Sequence, residues 1–97
     1  MSKIKVGIVG SAGYTGGELL RILIFHPQVE IVFANSVSNA GKKVYEVHND
    51  LFGDTELEFS TAFHSDIDVL FLCVGHGDAR KFLDANAVDP SVKIIDL

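Results

Sequence analysis

The stretch from Ile4 to Leu23 limits what this chain can fold into more than any other. It reads IKVGIVG, then SAGYTGGEL, then LRIL. Ile4, Val6, Ile8 and Val9 form a short apolar run rich in β-branched residues, as expected for a strand buried on both faces of a parallel sheet. Gly10 to Gly17 then holds four glycines in eight residues, which is a turn. From Tyr14 or Thr15 to Phe25 apolar residues return, with Leu19, Leu20 and Leu23 at helical spacing. Glu18 is expected in the first turn of that helix, where the helix dipole favours a negative charge. His26-Pro27 closes it, because a residue before proline avoids the α region.

The remainder continues the alternation. Val29–Ala34 is a second strand, ending at Asn35-Ser36. Residues 38–43 (SNAGKK) are polar and flexible, and Val44–Val47 is one helical turn. Residues 49–54 read as loop and 57–60 as a short strand, with Phe63 to Asp66 as a connection. Val69–Val74 (VLFLCV) is the clearest buried strand. Gly75-His76-Gly77 is a second glycine turn, after which Asp78 caps a helix running to Ala87 with Ala79, Phe82, Leu83 and Asn86 on one face. Pro90 breaks it, and Lys93–Leu97 begins another strand. Strands alternating with helices predict an α/β fold, a Rossmann-type doubly wound and mainly parallel sheet with right-handed crossovers. Ninety-seven residues is one domain, and 47% hydrophobic against 22% charged residues is ordinary globular composition. Because the chain stops inside an apolar strand, residues 1–97 are expected to be the N-terminal piece of a longer protein, truncated after the start of the fifth strand.

The glycine turn carries the chemistry. Gly10 lets the strand turn sharply, Gly13 removes a side chain where backbone must approach a pyrophosphate, and Gly16 lets helix pack on strand. Amides of residues Ala12 to Thr15, Tyr14 among them, would face the phosphates at the helix N-terminus, with Ser11 and Thr15 adding hydroxyl donors. The same pattern also fits a plain tight βα turn. Two residues separate the first two glycines, a departure from G-x-G-x-x-G. A second departure concerns the acid that NAD binders place near the end of the second strand for the ribose 2′-hydroxyl. Here that strand ends Asn35-Ser36-Val37-Ser38, and Glu30 is at its other end. With no carboxylate to repel a 2′-phosphate, and with Ser36, Ser38, Asn39, Lys42 and Lys43 nearby, the reading is NADP over NAD.

Gly75-His76-Gly77 lies at the carboxyl end of VLFLCV, so it faces the crevice where open parallel sheets bind ligands. Gly75 and Gly77 allow close approach of a nicotinamide ribose or pyrophosphate, and His76 is a candidate donor to a substrate or cofactor oxygen, the alternative being an ordinary surface histidine. Cys73, the single cysteine, sits inside the apolar run and reads as core packing rather than a nucleophile. No His, Cys, Asp or Glu cluster has metal-ligand spacing, so no metal is expected. A net charge of −5 offers no reason to expect nucleic acid, and no apolar run approaches the ~20 residues of a membrane helix. A cytoplasmic location is expected from the lone cysteine and the absence of a signal-peptide pattern.

Gly10-Ser11-Ala12-Gly13-Tyr14-Thr15-Gly16-Gly17-Glu18-Leu19 resembles the G-x-S/A-G-Y-T/A-G-x-E-L signature of the N-acetyl-gamma-glutamyl-phosphate reductases. Ser38 to Lys42 with Val47-His48, Phe71 to Gly77, and Ile94 to Leu97 are similar to later segments of that family, in order, with Gly75 where proline is usual. The resemblance implies an NADPH-dependent enzyme of arginine biosynthesis that reduces an acyl phosphate, N-acetylglutamyl 5-phosphate, to its semialdehyde through a cysteine thioester, with a histidine as acid/base. It implies that residues 1–97 are the N-terminal dinucleotide-binding domain of a longer two-domain enzyme, that both catalytic groups lie in the second domain beyond Leu97, so this chain carries none, and that the full-length protein is a homo-oligomer. Aspartate-semialdehyde dehydrogenase, with a similar glycine turn and loop, is the alternative enzyme. A stand-alone nucleotide-sensing module, redox-responsive or CoA-binding, is the alternative outside enzymes.

Overall fold

A computed structural model describes residues 3–61, 63 and 66–97. Five strands form one sheet: β1 (Ile4–Val9), β2 (Val29–Asn35), β3 (Phe59–Ser60), β4 (Val69–Leu72) and β5 (Lys93–Asp96). Their order across the sheet is β3-β2-β1-β4-β5, and every pairing is parallel. Three helices connect them: α1 (Tyr14–Leu23), α2 (Val44–Val47) and α3 (His76–Ala85), with a 3₁₀ turn at Asn49–Leu51 where the sequence reads as loop. Chain order moves outward from β1 to β3, then returns to the far side of β1 for β4. The sheet is therefore doubly wound, and its direction switches between β1 and β4.

Alternation along the strands explains the apolar runs. Val6, Ile8 and Ala34 face one way, packing with Leu20 and Leu23 of α1 and with Val44, Leu51 and Phe59. Val9, Phe33, Leu70 and Leu72 face the other, with Ile67, Val92 and Ala79 of α3. Both faces are covered, so both sets of alternate residues must be apolar. On the α3 face Phe33, Phe63 and Phe82 form a chain of edge-on rings with centroids 5.8 and 5.3 Å apart.

Several boundaries differ from the sequence reading. α1 begins at Tyr14 and has no acid in its first turn. Glu18 lies a turn further on, where it meets Arg21 at 3.1 Å. α3 begins at His76 rather than after Asp78. Gly75, in extended conformation, is its N-cap, and the Ala79 amide closes the first turn on the Gly75 carbonyl at 2.9 Å. Gly77 and Asp78 are thus helical residues, and Asp78 supplies first-turn charge instead of a cap. The helix stops at Ala85, where the Asn86 side chain donates to the Phe82 carbonyl at 3.0 Å.

The strand read over 57–60 narrows to Phe59–Ser60, and β4 ends at Leu72, two residues short of the expectation. Residues 38–43 are pinned rather than loose. The Gly41 amide donates to Phe59, and the Lys42 amide to Asn39, around a type II-like turn whose third residue, Gly41, has φ +91°. His64, and the part of the 63–66 connection formed by His64 and Ser65, lie outside the described residues.

Candidate functional site

The carboxyl ends of β1, β2 and β4 meet at the switch point, and there the surface opens into a cavity of about 530 Å³. Its wall comprises Val9, Gly10, Ala12 and Gly13 after β1, Asn35 to Ser38 after β2, Cys73 and Val74 after β4, and Asp78 and Phe82 of α3. That volume is within the ~300–1,000 Å³ of typical small-molecule sites.

The turn between β1 and α1 is held from below. The Asn35 carbonyl accepts the amides of Gly10 and Ser11, each at 3.1 Å, and the Ser11 hydroxyl at 2.9 Å. Gly10 has φ +78°, a conformation L side chains rarely adopt, and this redirects the chain off the strand. The Gly13 amide returns to the Gly10 carbonyl at 3.3 Å, and the Gly17 amide to the Gly13 carbonyl at 2.9 Å. Gly13 is the N-cap of α1 and brings no side chain to it. The first-turn amides of a helix have no carbonyl ahead of them, so this end presents N–H donors and the positive end of the dipole. With no first-turn acid, nothing on the helix itself competes for those donors.

The expected residues divide into groups. Gly10, Ala12, Gly13, Ser36 and Ser38 line the cavity together. Gly16 lies beneath it: a Cβ there would come within 2.5 Å of the Gly10 carbonyl oxygen, so close helix–strand packing requires glycine. Tyr14 and Thr15 stand exposed at the start of α1. Ser11 is a correction. Its side chain is fully buried and its hydroxyl is bonded to Asn35, so it braces the turn from inside instead of offering a donor to a ligand.

Gly75 and Gly77 are exposed, outside the wall, with open space where a Cβ would go. The His76 side chain lies outside what is described. α3 instead contributes Asp78 and Phe82, which the sequence reading gives as a helix cap and as part of one helix face. Helical spacing along α3 is the available signal: Phe82 follows Asp78 by one turn, so the two lie on the same side of the helix.

Electrostatics sorts the rest. Burial pushes the Cys73 thiol up from its ordinary value, so it stays protonated at neutral pH. Its side chain packs on the α1-side core while bordering the cavity. Lys43 is engaged elsewhere, with Glu58 at 3.3 Å and Glu56 at 3.8 Å. Lys42 keeps its ammonium 3.5 Å from the Asn39 side chain on the exposed loop beyond β2. No carboxylate stands at the end of β2, while Glu30 pairs beside Lys5 at its beginning. Among the described residues no three His, Cys, Asp or Glu side chains form a metal-holding group, and no helix is long and apolar enough to cross a membrane.

This arrangement has counterparts. The family model described as the semialdehyde dehydrogenase NAD-binding domain matches residues 5–97. The chain belongs to that family. Among curated relatives, the N-acetyl-gamma-glutamyl-phosphate reductase of Phocaeicola vulgatus is 56% identical over 95 residues, 97% of this chain and 30% of its own length. The enzyme of the same name from Christiangramia forsetii is 50% identical over 94 residues, 97% of this chain and 29% of its own. The chain thus spans about 30% of the length of the relatives it matches. The structure of aspartate semialdehyde dehydrogenase with NADP from Candida albicans superposes with a TM-score of 0.73 over 98% of this chain and 29% of that one. At 19% identity it attests the Rossmann-type fold of this NAD-binding domain.

Proposed function

We propose that the chain is the NADP(H)-binding domain of an N-acetyl-gamma-glutamyl-phosphate reductase, the N-terminal part of a longer two-domain enzyme that reduces an acyl phosphate, N-acetylglutamyl 5-phosphate, to its semialdehyde. The observation that carries this reading is 50–56% identity to such reductases over 97% of the chain. The aspartate semialdehyde dehydrogenase likeness, at 19% identity, speaks for fold alone and does not favour the alternative substrate.

The residues present fit the cofactor. A Cβ on Gly13 would touch nothing in the protein closer than 3.6 Å, so the space beside the helix N-terminus is open to a pyrophosphate. The amides at the start of α1 would hold it. Ser36 and Ser38, just past a strand end that carries no acid, would take the 2′-phosphate with Lys42 nearby. When bound, the cofactor supplies hydride. The protonated, half-buried Cys73 is not the nucleophile in this reading, and the thiolate that forms the thioester comes from the other domain. The full-length enzyme is taken to be a homo-oligomer of the cytoplasm, a location in keeping with a free cysteine.

Calorimetric titration tests this. NADPH is expected to bind at least tenfold more tightly than NADH. Ser36→Asp, which places a carboxylate where NAD binders carry one, is expected to reverse that order. Equal affinity of the native protein for both cofactors would refute the 2′-phosphate assignment.

A further inference from the structure

His48 is not in the cavity wall, yet it grips the turn on which the cavity is built. Its ring is buried, 8% exposed, and packs edge-on against Phe59. Nε2 lies 3.0 Å from the carbonyl oxygen of Ser11. A carbonyl oxygen only accepts, so Nε2 carries a proton and donates it. The fit is close on the other side too. A Cβ on Gly17 would come within 2.5 Å of the His48 ring, so Gly17 leaves room for the imidazole. The segment carrying His48 is tied to α1 a second time, by Arg21 and Asp50.

The consequence follows from peptide geometry. The Ser11–Ala12 peptide is planar and trans, so its C=O and N–H point in opposite directions. With the oxygen drawn inward to His48, the Ala12 N–H is aimed away from His48, and Ala12 borders the cavity. The bonds to the Asn35 carbonyl use the Gly10 and Ser11 amides and the Ser11 hydroxyl, and none of these sets the plane of the next peptide. A flipped Ser11–Ala12 peptide would turn a carbonyl oxygen, not a donor, toward an anionic ligand.

We propose that His48 is a positioning residue for the cofactor, fixing the Ser11–Ala12 peptide so that the Ala12 amide is presented to the pyrophosphate. The inference rests on the NADP(H) reading above and deepens it, since it names a residue outside the cavity that sets affinity within it.

The test is NADPH titration of the purified protein, followed by calorimetry and by nitrogen-15 amide spectra. In the native protein the Ala12 amide resonance is expected to shift strongly on saturation. His48→Gln, whose amide nitrogen can reach the Ser11 oxygen, should bind within about threefold of native. His48→Asn, one methylene shorter, should bind at least tenfold more weakly. A native protein that binds NADPH without moving the Ala12 resonance overturns the inference, whatever the variants do. Equal affinity of the Gln and Asn variants overturns it as well. If the native protein binds no NADPH at all, the cofactor reading itself fails, and that result is distinct from the other two.

Discussion

Gly13 and Gly16, separated by Tyr14 and Thr15, are glycine for different reasons. At Gly16 the protein itself forbids a side chain, because a Cβ would lie 2.5 Å from the Gly10 oxygen and 2.7 Å from the Ser11 Cα. At Gly13 the φ of −79° suits any residue, and the nearest atom to a Cβ is 3.6 Å away. Nothing inside the fold requires glycine there, so the requirement comes from the cavity. Gly16→Ala is expected to cost about 1–3 kcal/mol of stability, as overpacking does, measured by urea denaturation. Gly13→Val should leave the urea midpoint close to native while abolishing NADPH binding by titration. Retained binding in Gly13→Val would remove the pyrophosphate from this turn. The neighbouring Ser11 shows what a motif conceals. Its hydroxyl looks like a ligand donor in sequence, but the Asn35 carbonyl 24 residues on takes it.

At the level of elements, local patterns were legible and distant ones were not. β1, the glycine turn and α1 follow one another within 20 residues, so β-branched composition, glycine density and leucine spacing locate them. β4 could be recognised for the same reason, as an apolar run covered on both faces. Capping preference points to Asp78 as the start of α3, whereas the chain uses an extended Gly75, three residues earlier. His48 could not be assigned at all, since its partner Ser11 is 37 residues away and no spacing rule connects them. The clasp beside it is equally non-local. Arg21 of α1 makes a two-pronged contact with Asp50, Nε to Oδ2 at 2.6 Å and Nη2 to Oδ1 at 2.9 Å.

That clasp makes a pH prediction. The hydrogen bond from Arg21 is the main cause holding the Asp50 carboxyl below its ordinary value of 3.8. A carboxyl depressed in the folded state contributes stability above its unfolded pKa, and that contribution is lost as pH falls through the folded value. Both groups are solvent-exposed, so the effect is modest and screened by salt. Below about pH 4 the urea midpoint of the native protein should therefore fall more steeply than that of Asp50→Asn, with the difference shrinking at high salt. Asp89, lowered by the Ser91 amide and hydroxyl, titrates alike in both proteins and cancels. Identical acid profiles for the two proteins would mean that the clasp contributes nothing.

Across the whole molecule the sheet is unevenly protected. β1 is hydrogen-bonded on both sides, and Val6, Gly7, Ile8 and Val9 are all buried. The two edges are built differently. β3 has only two residues, with Phe59 1% exposed, and the antiparallel bridge from Lys43 to Glu58 brings charge to that margin. β5 pairs with β4 alone, every one of its residues is exposed, and Ile94 and Ile95 remain 43% and 41% accessible. Short, charged edges resist pairing with other chains, while apolar ones invite it. The radius of gyration, 12.6 Å, matches the ~13 Å of a compact domain this size, so the open edge coexists with a collapsed core. Exchange of backbone amides should follow this gradient, slowest in β1 and fastest in β5, because local opening tracks burial. The same edge should make this 97-residue chain self-associate as concentration rises. Ile95→Lys is expected to shift sedimentation back toward the monomer without changing NADPH affinity, since Ile95 is absent from the cavity lining. If the Lys variant associates as strongly as the native chain, β5 is not the edge responsible.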